Sequence, residues 1–199
     1  MNKSKITFLA TSFLFVCLLS LTNSFAQTET PRPQMQAEPS YEVVLHILTA
    51  SNNTGDKTSV PQSLSNVVKK LKNTYLFSNY HLDSTYLQRT AGSIELKSVS
   101  SATNQNQETS TPIFSEWMLG GLRSFPNTAG KNLIQFQNFR FGQRVPIRTS
   151  AGVVNYEQTG ITLQKFGVSE NVPTVVGSLT TSKPDELMFL VLTVRPVEE

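Results

Sequence analysis

The chain holds a single cysteine, Cys17, and that residue sits inside an apolar N-terminal run. Beyond it the sequence can form neither a disulfide nor a thiolate metal site, so packing alone must hold the fold together. Histidine is almost as scarce, with His46 and His81 the only two. The chain has no G-x-S-x-G, H-E-x-x-H, P-loop or G-x-G-x-x-G pattern. That removes the hydrolase elbow, the zinc-protease helix and the two common phosphate cradles. After residue 26 no apolar run is long enough to span a bilayer as a helix. Nor is there a repeat in the range of about 20–50 residues that marks solenoids and propellers.

The first 26 residues follow the three-part pattern of a cleavable secretory signal. Lys3 and Lys5 supply the basic start, and Ile6 to Leu21 carries no charge. Ser24-Phe25-Ala26 then puts small residues at the two positions that a signal peptidase reads before Gln27. Thr11, Ser12, Ser20 and Thr22 interrupt the run, short of the roughly 20 apolar residues that a stable span wants. Cleavage would remove both lysines and the cysteine, lowering the formal charge of +3 by two. Such a balance gives no support to a nucleic-acid partner. The expected location is extracytoplasmic: periplasm, cell surface or medium.

Residues 27–40 hold three prolines and little apolar content, and read as a leader ahead of one domain over 41–199. Tyr41 to Ala50 alternates with apolar residues on both faces, the mark of a central strand. Leu64, Val67, Val68, Leu71 and Tyr75 then form one helical stripe. Pro61 suits its first turn, and Lys69, Lys70 and Lys72 suit its C-terminal half. Asn79 to Thr90 and Ser93 to Ser100 read as strands of a hairpin joined at Ala91-Gly92. A polar loop follows over 101–111, then a strand from Ile113 to Leu122 whose Gly120-Gly121 pair marks a bend. Asn132 to Phe141 changes phase between Phe136 and Phe139, predicting a bulge at Gln137-Asn138. Val145–Arg148, Val153–Gln158, Ile161–Phe166 and Thr174–Leu179 read as short strands, and Glu186–Arg195 as a second buried central one. The fold class is α+β and predominantly β. A strand–helix–hairpin part precedes an antiparallel, sandwich-like half.

Chemistry is sparse. His46 alternates with apolar residues and reads as a packed histidine. His81 and Asp83 share a strand face, a spacing that suits a hydrogen bond better than a metal without a third ligand. Glu95, Glu108, Glu116, Asp185 and Glu186 are scattered; a hydrolase would have to assemble its carboxylates in space. No catalytic, cofactor or metal residue is therefore assigned. Arg140, Arg144 and Arg148 lie among Phe136, Phe139 and Phe141, and with Trp117 form the candidate interaction surface.

Phe141-Gly142-Gln143-Arg144-Val145-Pro146-Ile147, Val154 to Leu163, Thr174-Val175-Val176-Gly177 and Glu186 to Pro196 occur in that order. They resemble the C-terminal β domain of the secretins, the ring proteins of type II and III secretion and of type IV pili. The resemblance covers about a third of the chain. It implies a non-enzymatic envelope protein with a protein partner, including self-association, acting as an assembly or accessory component. The other reading is an extracytoplasmic module for a small ligand or polysaccharide, using Trp117 and Tyr86.

Overall fold

In the computed structural model the described residues are 39–53, 59–102, 111–126, 132–148, 154–181, 183 and 185–197. The expected signal, nearly all of the leader and most of the 101–111 loop lie outside them.

The two strands that are apolar on both faces form the middle of the first sheet. β1 (Tyr41–Ser51) pairs antiparallel with β9 (Glu186–Pro196) along its whole length. β2 (Asn79–Thr90) flanks β1, and β8 (Thr174–Thr180) flanks β9. One face of this sheet receives the helix α1 (Ser65–Thr74), entered through a 3-10 turn at Gln62–Leu64. The expected stripe is what docks: Leu64, Val67, Val68 and Leu71 bury against Leu48, Ala50, Phe189 and Val191. Tyr75 meets Phe189 edge-on at 4.9 Å between ring centroids. At about 1.5–3 kcal/mol for each apolar side chain fully buried, this stripe rather than helix propensity holds so short a helix.

The other face of the first sheet packs on a second one. Its strands are β3 (Ile94–Ala102), β4 (Thr111–Gly120), β5 (Arg123–Pro126), β6 (Asn132–Arg148) and β7 (Val154–Ser169). β6 is central: β4 and β5 share one of its edges and β7 lines the other. Between the sheets lie Val43, Leu45 and Leu192 from the first and Trp117, Phe139 and Phe141 from the second. Among the described residues, the molecule is therefore a two-sheet antiparallel sandwich with a helix on one outer face, predominantly β with some helix.

Three expectations need correction. Asn79–Thr90 and Ile94–Ala102 do not pair as a hairpin. β2 joins β1 while β3 joins β4, so Ala91-Gly92-Ser93 is a corner between sheets. Thr90 Oγ1 braces that corner, donating to the Ser93 carbonyl (2.9 Å) and accepting from the Gly92 N–H (3.0 Å). Secondly, 132–141 with 145–148, and 153–158 with 161–166, are not pairs of short strands but two long ones. Gly142 and Gly160, which look like breaks, face one another across the β6–β7 ladder. Thirdly, Arg123–Pro126 forms a short strand that was not expected.

The expected irregularities are present and share one level. Phe136 and Phe139 both point inward, so β6 changes phase at Gln137-Asn138. Opposite, β7 changes phase at Gln164-Lys165, where Lys165 takes the left-handed φ of 51°. Beside them β4 ends at Gly120-Gly121, with Gly121 at φ 67°. A crease thus runs across the second sheet.

Candidate functional site

Helix α1 covers one outer face of the sandwich; among the described residues nothing covers the other. This open face belongs to the second sheet, and register arranges it in rows. Lys97, Glu116, Gly142 and Gly160 make one row across β3, β4, β6 and β7. Val99, Phe114, Arg144 and Gln158 make the next, followed by Pro146 and Tyr156. Gly142 leaves the first row without a side chain over β6. The result is an open recess of about 250 Å³, walled by Lys97, Val99, Phe114, Glu116, Arg144 and Gln158.

The walls are held in place by their neighbours. The Arg144 guanidinium lies 4.8 Å from the Phe114 ring centroid, a cation–π contact. Tyr156 also contacts that ring, edge-on at 5.7 Å between centroids. Glu116 is engaged by Arg140 at 3.5 Å, and Lys97 by Glu95 at 3.2 Å. Arg144 has no acidic partner among the described residues. The recess thus carries one cation more than its paired charges neutralise.

Of the candidate surface, Arg140 and Arg144 are together on this face. Arg148 closes β6, and its side chain lies outside the described structure. Trp117 is a correction: it is 1% exposed, in the core between the sheets, with its indole N–H buried and without a hydrogen-bond partner among the described residues. It cannot form part of a contact surface. Phe136, Phe139 and Phe141 are likewise core: Phe139 and Phe141 alternate inward along β6, and the phase change at Gln137-Asn138 turns Phe136 inward as well. Tyr86 faces inward too, its hydroxyl 2.9 Å from that of Ser98. The aromatics that serve the arginines are Phe114 and Tyr156, which sequence reasoning missed. Their signal was the alternation Phe114, Glu116, Met118 against Ser115, Trp117, Leu119.

A second polar group lies at the edge of the first sheet. The β1–β2 register slips between Ile47 and Leu48, leaving Asp83 as the extra residue of a bulge in β2. Thr49 donates a hydrogen bond to the Asp83 carboxylate, and His81 Nε2 sits 2.9 Å from it. Burial pushes the Asp83 carboxyl above its ordinary value; Glu186 adds to the rise, while Thr49, His81 and Lys183 oppose it. Glu186 in turn accepts from Lys183 at 2.7 Å. His46 is half-buried beside Thr85 (2.9 Å), and burial lowers its pKa. Among the described residues no three His, Cys, Asp or Glu side chains gather as a metal would need, and no helix is long and apolar enough to cross a membrane.

No protein-family model, no curated protein and no solved structure matches this chain.

Proposed function

We propose that this is a non-enzymatic exported protein of the cell envelope that binds a protein partner, another copy of itself included, by strand addition to its second sheet. In this reading it serves as an assembly or accessory component of a secretion- or pilus-type system. The observation that carries the proposal is the outer edge of β7. Sixteen residues long, β7 pairs with β6 alone, so its outward backbone groups meet no described strand. Exposed edges of this kind are templates for pairing unless something blunts them. β2 is blunted, since the Ser59 backbone bonds to Tyr80 and Leu82. β8 is short, and its register shifts between Val175 and Gly177. β7 has neither defence over Val154–Gln164. The secretin-like segments fall on β6, β7, β8 and β9, so the resemblance bears on this same edge.

The test is the mass of the purified exported protein by light scattering, together with crosslinking in intact envelope. Backbone donors alternate between the two sides of a strand, so proline at Thr162 or at Leu163 removes an outward N–H in one case and a ladder N–H in the other. The better-folded variant of the two should lose partner crosslinks or assembly. A protein that stays monomeric and crosslinks to nothing in the envelope would overturn the proposal.

A further inference from the structure

The recess over Gly142 raises a question that packing does not answer. Glycine inside a strand costs roughly 0.5–1 kcal/mol relative to alanine, so its presence usually has a steric cause. Gly160 has one: a Cβ there would stand 2.4 Å from the Phe141 carbonyl oxygen and 3.0 Å from the Gly142 Cα. Gly142 has none. Its φ is not in the left-handed region, and the nearest atoms to an added Cβ would be the Gln158 amide nitrogen at 3.5 Å and the Glu116 side chain at 3.6 Å. Those are ordinary contacts. The empty position neighbours Arg144 on the same face of β6, a wall cation that has no acidic partner among the described residues and lies over the Phe114 ring.

We propose that this recess binds one acidic sugar unit, a hexuronate, with its carboxylate on Arg144 and its hydroxyls on Glu116 and Gln158. Size is the first ground. About 250 Å³ lies below the range of roughly 300–1,000 Å³ typical of drug-sized ligands, and suits a single sugar ring. Charge is the second. A guanidinium fork offers paired donors to a carboxylate, and its cation–π contact with Phe114 helps to position the fork before the ligand arrives. The third ground separates a sugar acid from an acidic peptide. Glu116 is a carboxylate in the same wall; it repels a side chain that brings only negative charge, but accepts from hydroxyl groups. Val99, 65% exposed, supplies an apolar wall for the C–H side of the ring. The site lies on the sheet face; it takes the Gln158 side chain from β7 but none of that strand's outward backbone groups, and so does not depend on the edge reading.

Calorimetric titration of the exported protein with galacturonate, tetragalacturonate, carboxyl-reduced tetragalacturonate and pentaglutamate tests the proposal. Saturable binding is expected for a uronate probe, the monomer if the unit is recognised free and the tetramer alone if it is recognised within a chain. The reduced and peptide probes should bind at least about tenfold more weakly. Arg144→Lys keeps the charge but loses the planar fork, and should weaken uronate binding about tenfold or more without moving the thermal midpoint. Gly142→Leu fills the recess and should abolish binding; if it misfolds, the Arg144→Lys result still decides. Absent uronate binding, equal binding of pentaglutamate or of the reduced sugar, or indifference to Arg144→Lys would each overturn the assignment.

Discussion

Gly142 and Gly160 face one another in the same ladder, yet alanine should be tolerated at one and damaging at the other. At Gly160 the new methyl meets Phe141 O, Gly142 Cα and Phe141 C at 2.4, 3.0 and 3.3 Å, all backbone of the central strand. No rotamer change can relieve that contact, so β7 must move away from β6 by about 1 Å, if carbon and oxygen are to regain a normal separation. Overpacking of this kind costs about 1–3 kcal/mol. One or two stretched ladder bonds add about 1 kcal/mol each. Removing a glycine from the unfolded chain returns about 0.4–1 kcal/mol. The net loss is about 2–3 kcal/mol, a fall of roughly 5–10 °C in thermal midpoint for a chain of this size. At Gly142 the neighbours are side-chain atoms at 3.5 Å and beyond, so only the unfolded-chain gain remains, and stability should stay level or rise slightly. Urea unfolding followed by the fluorescence of Trp117, which is buried at 1% exposure, reports both variants. Equal stability of Gly160→Ala and the parent, or equal damage at both sites, would refute the steric reasoning.

Phe139→Ala removes a fully buried ring from between the sheets and should cost about 3–5 kcal/mol in the same urea assay; a loss under 1 kcal/mol would mean that the sheets can close over the gap. Lys165→Gly at φ 51° should relieve some of the roughly 1–2 kcal/mol that left-handed backbone costs a residue with a Cβ, and so hold or raise the thermal midpoint, whereas Lys165→Val should lower it, because a β-branched side chain fits that backbone worse than lysine does. The Asp83 carboxyl, raised by burial, favours the protonated folded chain, so its stabilisation is complete below the ordinary aspartate pKa and is lost as pH rises through the folded value. Asp83→Asn should flatten that decline on the weakly acidic side, and its stability relative to the parent should improve as pH rises; a relative stability that worsens over that window would show that burial is not the dominant cause.

The legible parts of the fold were those in which one local pattern decides. The stripe from Leu64 to Tyr75 has a single way to bury, and Glu186–Arg195, apolar on both faces, can only be central. The phase change between Phe136 and Phe139 marked the crease. What remained illegible depends on partners distant in sequence. Nothing local distinguishes a corner at Ala91-Gly92 from a hairpin, because the choice is made by which strand each arm joins. Gly142 and Gly160 look like breaks singly and are compatible with a ladder only when placed opposite one another. At the candidate site, the exposure of Arg140 and Arg144 followed from alternation with the core phenylalanines. Their aromatic support did not, since Phe114 and Tyr156 come from two other strands.

Hydrogen exchange along β7 tests the central claim most directly, comparing the purified protein with the same protein in cell envelope, where the proposal puts it. If partners add a strand at this edge, amides within Val154–Gln164 should exchange more slowly in the envelope, at alternate positions, while β1 and β9 stay unchanged. A partner captured in the envelope with no added protection in β7 would contradict the account.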